Sequence, residues 1–98
     1  MKALPLKIRK NGFNYTQVLR GRQSCIYEQR LHEKTIAFEV FTIKTSPKRK
    51  IMGKWIEEKE LFPHNEAFGY WAWTYCTLEK AKLKYIELDH NGNKKRLA

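Results

Sequence analysis

The passage over residues 70–88, YWAWTYCTLEKAKLKYIEL, constrains the fold more than any other part of the chain. Its first seven residues alternate bulky and smaller side chains, which predicts a strand over 70–76. One face of that strand would carry Trp71, Trp73 and Tyr75. A strand that leads directly into a helix, each with an apolar face, is typical of the unit that closes a small hydrophobic core.

The second half of this passage predicts the helix of the chain. Thr77 is a favourable N-cap residue, and Glu79 lies in the first turn, where a negative charge suits the helix dipole. The spacing of apolar residues predicts one buried stripe. Its members are Leu78, Ala81, Tyr85 and Leu88, with Ile86 beside them.

The end of the helix is predicted near Asp89. Asn91-Gly92 follows, and this dipeptide favours a helix C-cap. The remaining residues 93–98, NKKRLA, are therefore predicted to form a frayed basic tail.

Three further strands are predicted earlier in the chain. Phe13–Arg20 alternates in polarity and Ser24–Leu31 is rich in strand-forming residues, so the polar residues 21–23 between them predict a β-hairpin. Residues 35–44, TIAFEVFTIK, carry apolar side chains on both faces. This strand is therefore predicted to lie centrally in a sheet, or to have one face covered by a helix and the other by a loop or a partner.

The middle of the chain gives weaker signals. Residues 45–50, TSPKRK, predict a loop with a basic tip. Residues 51–60 predict a strand with Gly53 as a bulge or a point of close approach, and a short helix over 54–61 is the alternative. Residues 65–69 predict a loop or a single helical turn.

A chain of 98 residues forms one domain, here 1–98. Residues 1–12 are basic and predict either an arm or an edge strand. The fold class is α+β, with a small antiparallel sheet of four to five strands and one C-terminal helix packed on one face.

The charge balance is the strongest global signal. Twenty Lys and Arg residues stand against ten Asp and Glu residues, which gives a net charge of +10. The excess lies mainly in the first and last thirds of the chain. Such a charge favours polyanionic partners, and solubility alone is the other explanation.

Basic residues near predicted turns are the candidate nucleic-acid site, because Lys and Arg neutralise phosphates. The candidate phosphate contacts are Arg20, Arg22, Arg30, Lys48, Arg49 and Lys50. Aromatic side chains on an exposed sheet face can stack on bases. The candidate stacking residues are Tyr15, Tyr27 and Trp55. The alternative is that the aromatic residues form the core and the cations are solvated loop tips.

Metal sites and catalytic motifs are not recognisable in the sequence. The nitrogen and sulfur ligands Cys25, Cys76, His32, His64 and His90 lack the spacing of a metal site. Glu57, Glu58 and Glu60 cluster, but neighbouring residues of a strand point to opposite faces. The sequence therefore predicts a protein without enzymatic activity, catalytic residues, metal or cofactor.

No apolar run approaches the length of about 18 residues that marks a membrane span, and residues 1–12 lack the apolar core of a signal peptide. The predicted location is the cytoplasm of the host cell. In that reducing compartment Cys25 and Cys76 are predicted to be buried free thiols.

Residues 62–88, FPHNEAFGYWAWTYCTLEKAKLKYIEL, resemble the C-terminal part of short uncharacterised proteins of bacteriophages and mobile elements. In those proteins a strand of the FG-x-W-A-W-x-Y type leads into a TLEKA helix. The same helix start also resembles the WGR domain, a nucleic-acid-associated module. Its Trp-Gly-Arg core is absent here, so no functional residues are carried over.

The leading hypothesis is a small basic binding module that contacts nucleic acid through phosphates. The alternative is a phage or mobile-element accessory protein that binds a host or virion protein, and a homodimer is one form of it. Whether the second faces of the strands are covered within the monomer distinguishes the two. The residues concerned are Ala37, Phe41, Ile43 and Tyr70.

Overall fold

The computed structural model describes residues 2–97, and it describes side chains for residues 2–90. Within this range the chain forms nine strands, a 3-10 turn (Asn65–Ala67) and one helix. They are β1 (Lys7–Lys10), β2 (Phe13–Arg20), β3 (Ser24–Leu31), β4 (Lys34–Thr42), β5 (Lys44–Ser46), β6 (Arg49–Ile51), β7 (Lys54–Ile56), β8 (Lys59–Leu61), β9 (Ala72–Tyr75) and α1 (Leu78–Leu97).

Five strands form one antiparallel sheet in the order β1-β2-β3-β4-β9. With the C-terminal helix this is the predicted α+β fold, and the hairpin β2–β3 has the predicted bounds. Of the two forms predicted for residues 1–12, the structure contains the edge strand, β1. It joins β2 through Asn11-Gly12, whose φ angles of 54° and 82° suit the tight turn that this dipeptide favours.

Helix α1 covers one face of the sheet over β3, β4 and β9. Ile26, Val40 and Ala81 are fully buried between the two layers. The predicted helix stripe surrounds them, with Leu78 and Tyr85 partly buried beside Ala81. This layer is one of two small cores in the chain.

The opposite face of the sheet is covered by the segment between β8 and β9. The ring of Phe62 packs edge-on against Tyr15, Tyr27 and Phe41, with ring centroids 5.0, 5.2 and 5.4 Å apart. Leu4 from the N-terminal segment completes this second core. Both faces of the central strands are therefore covered within one chain.

The second faces singled out by the sequence are mostly covered. Ala37 and Phe41 are buried, and Ile43 packs partly against the aromatic core. Tyr70 is 83% exposed, because it lies in the turn before β9. Of these four residues, only Tyr70 is left open to a partner.

The prediction that Trp71 shares a face with Trp73 and Tyr75 is wrong. Strand β9 begins only at Ala72, and the backbone N–H groups of Tyr70 and Trp71 both donate to Ala67 in the preceding turn. Trp71 therefore packs beside Phe41 on the aromatic side. The ammonium of Lys84, from α1, lies 4.1 Å from the ring of Trp73 on the helix side.

Helix α1 continues past Asn91-Gly92 to Leu97, so the predicted helix end is wrong. Glycine within a helix costs only about 1 kcal/mol relative to alanine, so it does not by itself end one. The side chains of the predicted frayed tail, 93–98, lie outside the described residues. No helical segment of the described chain combines the length and apolar character needed to cross a bilayer.

The predicted burial of both cysteines is half right. Cys25 is fully buried in β3, and its desolvation raises the pKa of the thiol to about 12. Cys76 is exposed, because β9 ends one residue before it. Alternation within a strand no longer governs its direction there.

Residues 44–61 form a β-ribbon, which we call the arm. At its base β5 pairs with β8, and at its tip β6 pairs with β7. The predicted loop over 45–50 and the predicted continuous strand over 51–60 are therefore both wrong, and so is the alternative helix over 54–61. Gly53 is not a bulge, because it lies in the hairpin turn between β6 and β7.

Candidate nucleic-acid interface

The tip of the arm is a hairpin with a two-residue turn. Met52 and Gly53 have φ angles of 50° and 82°, and the strands pair as Ile51 with Lys54 and Lys50 with Trp55. β-Branched and aromatic residues favour the flanking strands, while Gly53 supplies the positive φ of the second turn position. The local sequence therefore accounts for the hairpin.

The whole tip is exposed. All six residues of β6 and β7 are exposed. Among the described elements, each of these two strands packs extensively only against the other. Met52 is 98% exposed and Trp55 is 65% exposed. An apolar surface that projects from a small domain in this way is typical of a binding surface.

The tip is also strongly cationic. Its basic residues are Lys48, Arg49, Lys50 and Lys54, and residues 47–56 contain no Asp or Glu. The ammonium groups of Lys48 and Lys50 lie 5.3 and 5.8 Å from the centroid of the Trp55 ring. Three of the six predicted phosphate contacts thus lie side by side on one exposed ribbon, beside the predicted stacking residue Trp55.

Arg20 lies at the base of the arm and is engaged by it. Its guanidinium donates to both carboxylate oxygens of Glu60, each across 2.6 Å. This hydrogen-bonded pair lowers the pKa of Glu60 and raises that of Arg20. Glu60 pairs with Thr45, and Arg49 is four residues further along, or about 13 Å. Arg20 therefore anchors the arm rather than extending its cationic tip.

Arg22 lies in the turn between β2 and β3, and its side chain is exposed. Its backbone N–H points to the carboxylate of Asp89 in α1, 3.4 Å away. The turn therefore binds the Asp89 carboxylate of the same chain, and this negative charge reduces the positive potential around Arg22.

Arg30 is at the other end of β3. It lies five residues from Cys25, the partner of Arg20 across β2–β3, or about 17 Å along the strand. Its guanidinium donates to the backbone oxygen of Glu33 across 2.7 Å. The structure thus separates Arg30 from the other candidate cations.

Tyr15 and Tyr27 are not stacking residues, and that prediction is wrong. Tyr15 is 5% exposed and Tyr27 is fully buried. The hydroxyl of Tyr27 donates to the backbone oxygen of Pro5, and the hydroxyl of Tyr15 accepts a hydrogen bond from Gln29. Both rings belong to the aromatic core, so no base can reach them.

Lys54 and Met52 lie in the tip of the arm but were not among the site residues predicted from the sequence. The signal was present, because a glycine flanked by strand-forming residues marks a hairpin turn, which would have paired Lys54 with Ile51. The signal is weak because Met52 stands before the glycine, where Asn or Asp is the usual residue of such a turn.

A second feature is a cleft of about 290 Å³ at the aromatic side of the sheet. Glu39 lines it and is only 5% exposed, and burial raises the pKa of its carboxyl group. The neighbouring Tyr15 hydroxyl and the positive charge of Lys10 oppose this rise in the pKa. Lys10 also lines the cleft and donates to the backbone oxygen of Pro63 across 2.9 Å. The cleft is thus a polar cavity around one buried acid.

Among the described residues, no three His, Cys, Asp or Glu side chains are grouped so that they could hold a metal ion. Comparison with known proteins found no match among protein-family models, curated proteins or solved structures. The arm and its chemistry therefore carry the functional argument.

Proposed function

We propose that this protein is a non-enzymatic nucleic-acid-binding module whose arm contacts the phosphate backbone. The observation that carries the proposal is the exposed tip of the arm, residues 47–56, which holds four cations and no acidic residue. Phosphate contacts by Lys and Arg supply most of the affinity in sequence-independent binding. Trp55 adds a ring on which an unpaired base can stack.

The shape of the arm supports the same proposal. A two-stranded ribbon is narrow enough to enter a groove of duplex DNA. The base of the arm is fixed to the domain by two backbone hydrogen bonds of 2.8 Å. The N–H of Lys2 donates to the carbonyl of Glu58, and the carbonyl of Lys2 accepts from the N–H of Glu60. A fixed base with a free tip lets the arm approach the nucleic acid while the sheet stays intact.

The proposal is tested by the salt dependence of binding to labelled DNA and RNA, single- and double-stranded. Each phosphate contact with duplex DNA contributes about −0.9 to the slope of log K against log salt concentration, so four contacts give about −3.6. The triple variant Lys48→Gln, Arg49→Gln, Lys50→Gln should weaken binding and reduce the magnitude of that slope by about 2.7.

A matched control separates the arm from net charge. The variant Lys34→Gln, Lys80→Gln, Lys82→Gln removes the same charge from exposed residues outside the arm. It should retain most of the affinity. If both triple variants lose affinity equally, binding depends on net charge and the arm is not the site. If neither loses affinity, phosphate contact by these cations is refuted.

A second candidate function is binding of a host or virion protein, or of a second copy of the chain. It is favoured by Leu83 and Ile86, which are 71% and 60% exposed and lie three residues apart on one side of α1. The double variant Leu83→Glu, Ile86→Glu should then abolish partner capture or lower the mass measured by light scattering. A wild-type protein that stays monomeric and captures no partner would contradict it.

Both candidate functions are compatible with a protein of a phage or mobile element, the class that residues 62–88 resemble. We propose that the protein acts in the cytoplasm of the host cell, where nucleic acid and host proteins are both accessible. Fractionation of cells that produce the protein with a tag tests this location.

A further inference from the structure

Met52 occupies an unfavourable position. Its φ of 50° lies in the left-handed region, where Gly, Asn and Asp are the usual residues of such a turn. It gains nothing by burial, because its side chain is 98% exposed. A strained residue that contributes no packing indicates a role in binding rather than in folding.

The chemistry around Met52 restricts how the arm can recognise DNA. Residues 48–56, KRKIMGKWI, contain no Asn, Gln, Ser, Thr, Asp or Glu. Such side chains read the edges of adenine and cytosine, so the hydrogen-bonding contacts left to this segment for direct reading of bases are those of Arg and Lys with guanine. The arm instead combines cations for phosphates with apolar side chains at its tip, which is the composition of proteins that bind the minor groove and bend DNA.

We infer that Met52 inserts between neighbouring base pairs from the minor groove of duplex DNA and bends the duplex. This inference rests on the proposed function. Met52 is at the outermost point of the hairpin, about 17 Å beyond Pro47 for an extended strand. Arg49 on β6 and Lys54 on β7 flank it on the two strands and meet phosphates on the two sides of the groove. Binding is then largely independent of sequence and favours DNA that bends easily.

The decisive variant is Met52→Asn. It removes the apolar side chain but creates Asn-Gly, the dipeptide that this turn favours, so the hairpin should become more stable. A rise in the melting temperature of the variant confirms that the arm is formed. Leu6→Gln is the matched control, because Leu6 is also an exposed apolar residue and lies outside the arm.

The experiment measures energy transfer between dyes at the two ends of a duplex of about 30 base pairs, together with affinity. Wild-type protein and Leu6→Gln should raise the transfer, because bending brings the ends together. Met52→Asn should bind several-fold more weakly and leave the transfer unchanged. A central mismatch should strengthen wild-type binding, because the unstacking penalty is smaller, and should strengthen Met52→Asn binding much less.

The outcomes separate this inference from the proposed function. If the Lys48, Arg49, Lys50 variant loses binding but wild-type protein leaves the duplex straight, the inference is wrong and phosphate binding stands. The same holds if Met52→Asn bends the duplex as wild-type protein does. If Met52→Asn changes the mass of the free protein in solution, Met52 serves self-association and the inference is also overturned. Absence of binding to any duplex removes both proposals.

Discussion

The hydroxyl of Ser24 donates to Oδ1 of Asp89 across 2.7 Å and so ties the turn between β2 and β3 to helix α1. The same carboxylate accepts the backbone N–H groups of Gln23, at 3.0 Å, and of Arg22, at 3.4 Å. Ser24 is fully buried. This cluster fixes the middle of α1 on the sheet, twelve residues after Thr77.

The close fit of this turn predicts that Gly21→Ala destabilises the protein. A Cβ atom at Gly21 would overlap the carboxylate of Asp89 and lie 2.6 Å from the hydroxyl of Tyr85. We expect a loss of about 1–3 kcal/mol in the free energy of unfolding, because the side chains of Asp89 and Tyr85 must shift and the hydrogen bonds of Asp89 to the turn are disturbed. Urea unfolding followed by tryptophan fluorescence measures it.

The control for this prediction is the same substitution in a chain that already carries Asp89→Ala. Since the carboxylate is then absent, Gly21→Ala should cost less than it does in the wild-type protein. The two substitutions should therefore be non-additive by about 1 kcal/mol. Strict additivity would mean that contact with Asp89 is not the cause.

The ion pair between Arg20 and Glu60 predicts a stability loss on Glu60→Gln that depends on pH. The guanidinium lowers the pKa of the Glu60 carboxyl group below its ordinary 4.5. A lowered carboxyl pKa stabilises the fold above pH 4.5, and this contribution is lost as pH falls through the folded-state pKa. Glu60→Gln should therefore cost about 1 kcal/mol at neutral pH, as for a well-oriented surface pair.

Unfolding of wild-type protein and of Glu60→Gln across the acidic range tests this sign. The difference between the two should shrink as the medium becomes more acidic. Arg20→Gln should show a similar loss, and the double variant should be little worse than either single variant. A constant difference at all pH values would show that ionisation of Glu60 is not involved.

Much of the fold could be predicted from local pattern, because the hairpin β2–β3 follows from alternation and the start of α1 from Thr77 and Glu79. The arm could not, since Ser46-Pro47 and three successive cations are typical of a loop, and its turn lacks the usual Asn-Gly. Trp71 was assigned to the wrong face because Tyr70 and Trp71 still belong to a turn that includes Gly69, whose φ is 90°. The alternation of faces begins only with β9 at Ala72.

The site could be predicted only where it is local. Lys48, Arg49 and Lys50 are consecutive, so they stay within one short segment, although Arg49 and Lys50 point to opposite faces of β6. Tyr15 and Tyr27 are covered by Phe62, which lies more than thirty residues away in the sequence. Contacts at such separation depend on how the chain folds back, and alternation within a strand does not reveal them.

The position of Phe62 predicts that it is among the most important core residues. Its ring contacts three other rings, those of Tyr15, Tyr27 and Phe41, within 5.4 Å between centroids. Phe62→Ala should cost about 2–3 kcal/mol, somewhat less than for a fully buried ring, because Phe62 is partly buried but packs against three other rings. Thermal and urea unfolding measure the loss.

Two other substitutions give the scale for Phe62. Phe62→Leu keeps most of the volume and should cost less than about 1.5 kcal/mol. Tyr70→Ala removes an aromatic ring that is 83% exposed, so its effect should stay within about 0.5 kcal/mol. A loss on Phe62→Ala no larger than that on Tyr70→Ala would contradict the central place of Phe62 in this core.

Burial of Glu39 predicts the opposite pH dependence to that of Glu60. Desolvation raises the pKa of Glu39, so between its ordinary value of 4.5 and its higher folded-state value the folded protein binds more protons than the unfolded chain. Stability from this group is present at low pH and is lost as pH rises through that folded-state pKa.

Glu39→Gln keeps the shape without the charge, so it should stabilise the protein near neutral pH, with the gain fading in acid. Urea unfolding of both proteins from acidic to neutral pH measures the gain. A Glu39→Gln protein that is less stable than wild type near neutral pH would show that the favourable interactions of the carboxylate with Tyr15 and Lys10 outweigh its desolvation.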